Sequence, residues 1–142
     1  MIPNFRAFNK ETKKMYGVDG FKSSERKIYR CSLADDEFRS GRLETFHFVE
    51  DNLDNYILMQ STGLKDKNGQ EIFEGDVVRH IDFLLNNETV NKVYFKDGLF
   101  MYDVVVDEYT YDVPIGEIIE NSIVEVVGNI YQNSELLESV GE

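Results

Sequence analysis

Tryptophan is absent from this chain, cysteine occurs once, and proline occurs twice. The lone Cys31 excludes an internal disulfide and agrees with a reducing compartment. Two prolines and ten glycines among 142 residues leave no linker and no low-complexity segment standing out. No apolar run reaches membrane-spanning length, and the N-terminus lacks the hydrophobic core of a signal peptide. These shortages predict a cytoplasmic protein with no membrane role. Histidine is scarce too: His47 and His80, taken with Cys31, make no zinc ligand set of recognisable spacing. There is no nucleophile motif and no Gly-rich phosphate loop. The expected list of catalytic, cofactor-binding and metal-ligating residues is therefore empty, and no cofactor is expected.

What the chain does have is apolar and acidic. Hydrophobic residues make up 42% of it, with ten Phe and eight Tyr, which places it among globular and not disordered chains. A chain of this length buries roughly two thirds of its unfolded surface, so it needs no metal to fold. The net charge of −12 is unevenly spread. Residues 1–30 hold eight Lys/Arg against three acids, and residues 31–96 hold seven against thirteen. Beyond Lys96 there is no Lys or Arg, while eleven acids follow. Such a layout bears on partners and solubility, not on fold.

Short alternating segments dominate the pattern. Strands are expected at Phe5–Phe8, returning through Lys14–Tyr16, at Lys27–Leu33, and at Leu43–Val49 before an acidic connector, Glu50–Asn55. Further strands follow at Tyr56–Gln60, Gln70–Phe73, Asp76–Phe83, Glu88–Lys96, Leu99–Val106, Tyr109–Val113 and Ile123–Tyr131. Asp97-Gly98 is a two-residue hairpin signal, because both residues tolerate positive φ. Ile118-Ile119 suggests a helical turn, Gly128-Asn129 a bulge, and Asn133 or Ser134 the cap of a short C-terminal helix. The expected fold is mainly β: an N-terminal β lobe over residues 1–60, then a small bent antiparallel, SH3-like barrel with a short C-terminal helix over 61–142.

The middle of the chain organises this pattern. Thr62-Gly63-Leu64-Lys65-Asp66-Lys67-Asn68-Gly69, followed by Ile72-Phe73-Glu74-Gly75-Asp76-Val77-Val78, predicts a strand, a tight reversal and a second strand. This run resembles the central signature of the YopX family of phage and prophage proteins. Residues 5–16 resemble the family's opening, with Phe8 where Trp is usual and Asn9 where Asp is usual. Val124–Tyr131 and Glu135-Leu136-Leu137 resemble its close, with Ser134 in place of Pro. The resemblance spans nearly the whole chain. It implies a phage or prophage lineage in a bacterial host, and no mechanism.

Several constellations invite a functional reading and have a plainer one. Asp66–Glu71 is superficially like a calcium loop, but Gly69 falls in the wrong position and strands flank it, so turn chemistry suffices. Asp107-Glu108 and Asp76 could belong to paired carboxylates, yet 27 acids bring some together by chance. Tyr102, Tyr109 and Tyr111 sit among acids, which disfavours stacking on nucleic acid and favours core packing with hydroxyls at the surface. Only Arg6, Lys10, Lys13, Lys14, Lys22, Arg26, Lys27 and Arg30 could form a basic patch. The expectation is thus a non-enzymatic accessory protein that associates with a host or phage protein and with itself. A basic opening would meet the acidic final third of another copy head to tail, closing a ring where the rotation permits, or else the two regions would pair within one chain. The alternatives are an acidic, DNA-mimic-like decoy of a host DNA-binding protein, and nucleic-acid binding through the basic N-terminal region.

Overall fold

Period-two alternation becomes antiparallel sheet throughout the computed structural model, which describes residues 4–38 and 45–138. The chain divides into two compact units, Met1–Gln60 and Ser61–Glu142. The fold is mainly β.

In the first unit, β1 (Phe5–Asn9), β2 (Met15–Lys22), β3 (Lys27–Cys31), β4 (Phe48–Asn52) and the opening half of β5 (Tyr56–Lys65) lie in the order β4-β3-β2-β1-β5. The β1–β2 turn forms because the Asn9 side-chain oxygen accepts from the backbone N–H of Glu11 and Thr12, at 2.8 and 3.0 Å. Ala7, Tyr16, Ile28, Ala34, Leu53 and Tyr56 make the core of this unit. One expectation needs correction. The strand expected from Leu43 starts only at Phe48, and it takes in Glu50, Asp51 and Asn52, which the sequence pattern assigned to a connector. Leu43 and Glu44 lie outside the described residues. The acids join the ladder because β3 supplies their partners: Glu50 stands opposite Tyr29 and Asp51 opposite Ile28. Lys27 Nζ lies 3.2 Å from Glu50, and the Tyr56 hydroxyl donates to Asp51 at 2.6 Å. Opposite charges across a ladder stabilise it.

In the second unit the closing half of β5 pairs with β6 (Glu71–Phe73). The strands β7 (Asp76–Asp82), β8 (Asn87–Lys96), β9 (Leu99–Val106), β10 (Tyr109–Pro114) and β11 (Ile123–Asn129) form a sheet in the order β10-β9-β8-β7-β11. Among the described residues the edges β10 and β11 do not pair, so the barrel is not closed. Asp97 and Gly98 both take positive φ, +53° and +81°, as the β8–β9 hairpin requires. The β11 ladder slips between Val126 and Gly128, so the bulge falls at Val127, one residue before the expected Gly128-Asn129, which pair in register with Val77 and Asp76. Helix α1 (Ile115–Asn121) covers the Ile118-Ile119 turn, and α2 (Glu135–Glu138) is the short C-terminal helix. Ile72, Val78, Val93, Tyr102, Ile115 and Val124 make the second core.

The signature stretch ties this unit together through backbone hydrogen bonds. Asp66 Oδ1 accepts from the N–H of Asn68 and of Gln70, both at 2.9 Å, while Oδ2 accepts from Val126 N–H at 2.9 Å. Lys67 N–H donates to the Val124 carbonyl at 2.9 Å. Gly75 N–H donates to the Val93 carbonyl, and its own carbonyl accepts from Ile130, each at 2.8 Å. The carboxylate that resembled a calcium ligand already serves three backbone donors. Its role is to hold a turn against β11.

Candidate interaction site

The sequence pattern carries β7 to Phe83, but the strand ends at Asp82 for a local reason. Asp82 Oδ1 accepts from the backbone N–H of Leu84 at 2.9 Å and of Leu85 at 3.2 Å, which folds the chain into a turn. Asn86, with φ of +50°, completes the reversal into β8. Phe83, Leu84 and Leu85 are left on the tip, 69%, 95% and 63% exposed. Asp82 takes up two of the turn's backbone N–H groups, which holds the tip with its apolar side chains exposed. A signal for this was present in the sequence: an apolar triplet bracketed by Asp82 and Asn86-Asn87. Read as the end of a strand, the triplet looks like core.

Beside the tip lies a cavity of about 430 Å³. Its apolar lining comes from Leu84 and Leu85, from Val104 and Val106 of β9, from Val113 of β10 and from Ile118 of α1. Tyr111, 53% exposed, also borders it, and the Tyr109 ring lies 6.4 Å from that of Tyr111. Expected to pack in the core, these two tyrosines are surface residues, because β10 is an edge strand. Tyr102 does pack in the core, but its hydroxyl stays inside with it.

Polar groups in the lining are His80, Asp82, Glu117, Asn121 and Ser122. His80 is 3% exposed. Ser122 Oγ donates to the Ile118 carbonyl, so it accepts from His80 Nε2–H at 2.8 Å. That arrangement makes Nδ1 the unprotonated nitrogen, and it has no hydrogen-bond partner. Burial lowers the His80 pKa, opposed by the nearby Asp82 carboxylate. A base whose native pKa is depressed binds fewer protons folded than unfolded below pH ~6.5. Its contribution to stability is therefore complete above that pH and declines as the pH falls below it. Urea midpoints between pH 8 and pH 5 should fall more steeply in the wild type than in His80→Gln. Parallel profiles would refute this.

Charge divides between the units. Residues 1–60 hold ten Lys/Arg and ten Asp/Glu, whereas residues 61–142 hold five and seventeen. The whole net charge therefore belongs to the second unit. In the first, the basic opening is matched locally: Lys14 lies 3.8 Å from Glu37, Lys22 lies 3.1 Å from Glu25, and Arg30 lies 3.8 Å from Asp51. Lys27 pairs with Glu50 and Arg26 with Asp54. A phosphate backbone would have to displace these carboxylates, which weakens the nucleic-acid reading. It also weakens the basic half of the head-to-tail attraction expected between copies.

The remaining sequence candidates do not converge. Asp107 and Glu108 are the exposed β9–β10 turn, with Asp107 at φ +56°. Asp76 is buried and accepts from Phe73 N–H at 2.8 Å. Cys31 is buried and His47 is exposed. Among the described residues, no group of three His, Cys, Asp or Glu is arranged to hold a metal. No helix among them is long and apolar enough to cross a membrane.

Comparison with known proteins returns one family and agreeing folds. The YopX protein family model matches residues 4–138. The SPbeta prophage-derived uncharacterized protein YopX of Bacillus subtilis (strain 168) is 36% identical over 72 residues, 51% of this chain and 54% of that protein. The chain thus spans about half the length of this curated relative. The crystal structure of protein EF1440 from Enterococcus faecalis superposes with a TM-score of 0.62 at 28% identity, covering 96% of this chain and 99% of that one. The crystal structure of yopX from Bacillus subtilis superposes with a TM-score of 0.58 at 24% identity, over 94% and 96% of the two chains, and shows the fold alone.

Proposed function

This chain belongs to the YopX protein family, and from that membership we propose that it is a non-catalytic phage or prophage protein of the bacterial cytoplasm that works by associating with other proteins, copies of itself included. The prophage-derived relative supports the lineage. The observation that carries the association reading is the β7–β8 tip, three consecutive large apolar residues at 69%, 95% and 63% exposure. A hairpin tip is where polar turn residues cost nothing, so an apolar one is explained by a partner.

Self-association fits the first unit better than the second. Edge strand β4 carries Phe48, whose ring lies 6.0 Å from Phe46, and both are nearly half exposed. Among the described residues β4 pairs only with β3, and an edge with aromatic side chains is a template for another chain. Equal numbers of cations and acids in residues 1–60 mean that two such faces meet without net repulsion. Sedimentation at micromolar concentration should give a particle heavier than the 16.5 kDa monomer in low and in high salt. Phe46→Ser/Phe48→Ser should move it towards that mass. A wild-type monomer at every ionic strength would remove self-association.

One observation favours a second reading, the acidic decoy: the second unit holds seventeen acids against five bases. A decoy of that kind would bind cationic partners by charge alone, without regard to their apolar content.

A further inference from the structure

The cavity beside the β7–β8 tip deepens the association reading and rests on it. We propose that this cavity seats an apolar anchor side chain from a cationic segment of a partner protein, and that the partner is not a second copy of this chain. Size argues for a side chain: about 430 Å³ lies at the small end of ligand pockets, enough for one or two large residues. Leu84, Leu85, Val104 and Val106 supply apolar contact, as the central pocket of an interface does. His80, buried and hydrogen-bonded as a neutral ring to Ser122, adds no charge to the lining.

Charge complementarity selects the partner. Among the described residues, Asp82 and Glu117 line the cavity and no Lys or Arg does. The adjoining β9–β10 turn brings Asp107 and Glu108, with no cation in the sequence beyond Lys96. A second copy docking here through its own acidic unit would set carboxylates against carboxylates. Cations flanking the anchor would instead meet these acids, which steers encounter and sets register. The tip is preorganised by the two Asp82 hydrogen bonds, so little ordering is needed on binding.

The test uses the whole chain and three capped peptides: Lys-Lys-Leu-Phe-Lys-Lys, Lys-Lys-Ser-Ser-Lys-Lys and Glu-Glu-Leu-Phe-Glu-Glu. In an NMR titration the first should bind at least roughly tenfold more tightly than either other and shift the His80 ring resonances. Leu84→Ser/Leu85→Ser replaces two exposed residues and should reduce that affinity by roughly tenfold with the melting temperature unchanged. Equal binding of the serine peptide would overturn the proposal in favour of charge alone. Unimpaired binding by the variant, or no binding of the first peptide, would also overturn it. So would a wild-type dimer that the same variant dissociates, because a second copy would then occupy the cavity. A wild-type monomer that still prefers the first peptide would remove self-association and leave this inference standing.

Discussion

Replacing Asp66 with alanine is expected to lower the free energy of unfolding by about 3 kcal/mol, the scale of a buried carboxylate serving several backbone donors. Asp66 is 8% exposed. Two of its three hydrogen bonds close its own turn, and the third reaches Val126, sixty residues further on. Exposed Asn68 and Gln70 can turn to water when the carboxylate goes. Val126 N–H, half-buried on β11, has less recourse. Asp66→Asn tests the same geometry from the other side. Its amide oxygen can keep two of the donors, but its NH₂ then faces an N–H, so a loss of about 2 kcal/mol should remain. Lys67→Ala is the control, since its 2.7 Å ion pair with Glu125 lies at the surface and should cost less than about 1 kcal/mol. Urea unfolding curves for the three variants decide the matter. An Asp66→Ala midpoint indistinguishable from that of Lys67→Ala would refute the account.

That contact also marks the limit of what a sequence discloses. Alternation made most strands legible, and positive-φ chemistry at Asp97-Gly98 made the hairpin legible, because both signals are local. The turn at Asp66–Gly69 was legible as a turn, but its attachment to Val124 and Val126 was not, since nothing local announces it. Glu50 and Asp51 make poor strand residues alone and good ones opposite β3 with Lys27 and Arg30 at hand. The same pairing hid the neutrality of the first unit, because cations before Cys31 are matched by acids as far along as Asp54. Of the candidate site, only its acidity was legible. Phe83-Leu84-Leu85 has the composition of core, and exposure depends on where Asp82 ends the strand.

The residues that mark the family and the residues proposed to select a partner fall in different places. Asp66, Gly69, Gly75 and Asp76 serve backbone geometry in the second unit. Phe83–Leu85 and Tyr111 lie outside the signature and do little for the core. Substitutions at the tip should therefore alter what the protein binds with little change in stability, and substitutions in the signature should do the reverse.

Tyr102 offers the sharpest separation of packing from hydrogen bonding in the second core, and its truncation is the other large effect expected. The residue is 0% exposed, and its single hydroxyl proton is shared between the carbonyls of Val78 at 2.7 Å and Thr89 at 2.9 Å. Tyr102→Ala removes a buried ring from contact with the cluster of Ile72, Val78 and Val93 and should cost about 4 kcal/mol. Tyr102→Phe keeps the ring and leaves the hydroxyl's acceptors short of a donor, at about 1–3 kcal/mol. Alkaline pH supplies an independent readout. Burial raises the Tyr102 pKa above its ordinary value of 10.0, so the hydroxyl stays protonated in the fold at pH values where the unfolded chain ionises. Stability from this group is complete below pH 10 and is lost as the pH rises beyond it. Tyr94, held by Asp103 and pushed up to about 12, contributes in the same direction and is common to both proteins. The wild type should therefore lose stability above pH 10 faster than Tyr102→Phe, and the gap between their urea midpoints should narrow. A gap that stays constant from pH 8 to pH 11 would show that the phenol is not the buried, proton-holding group described.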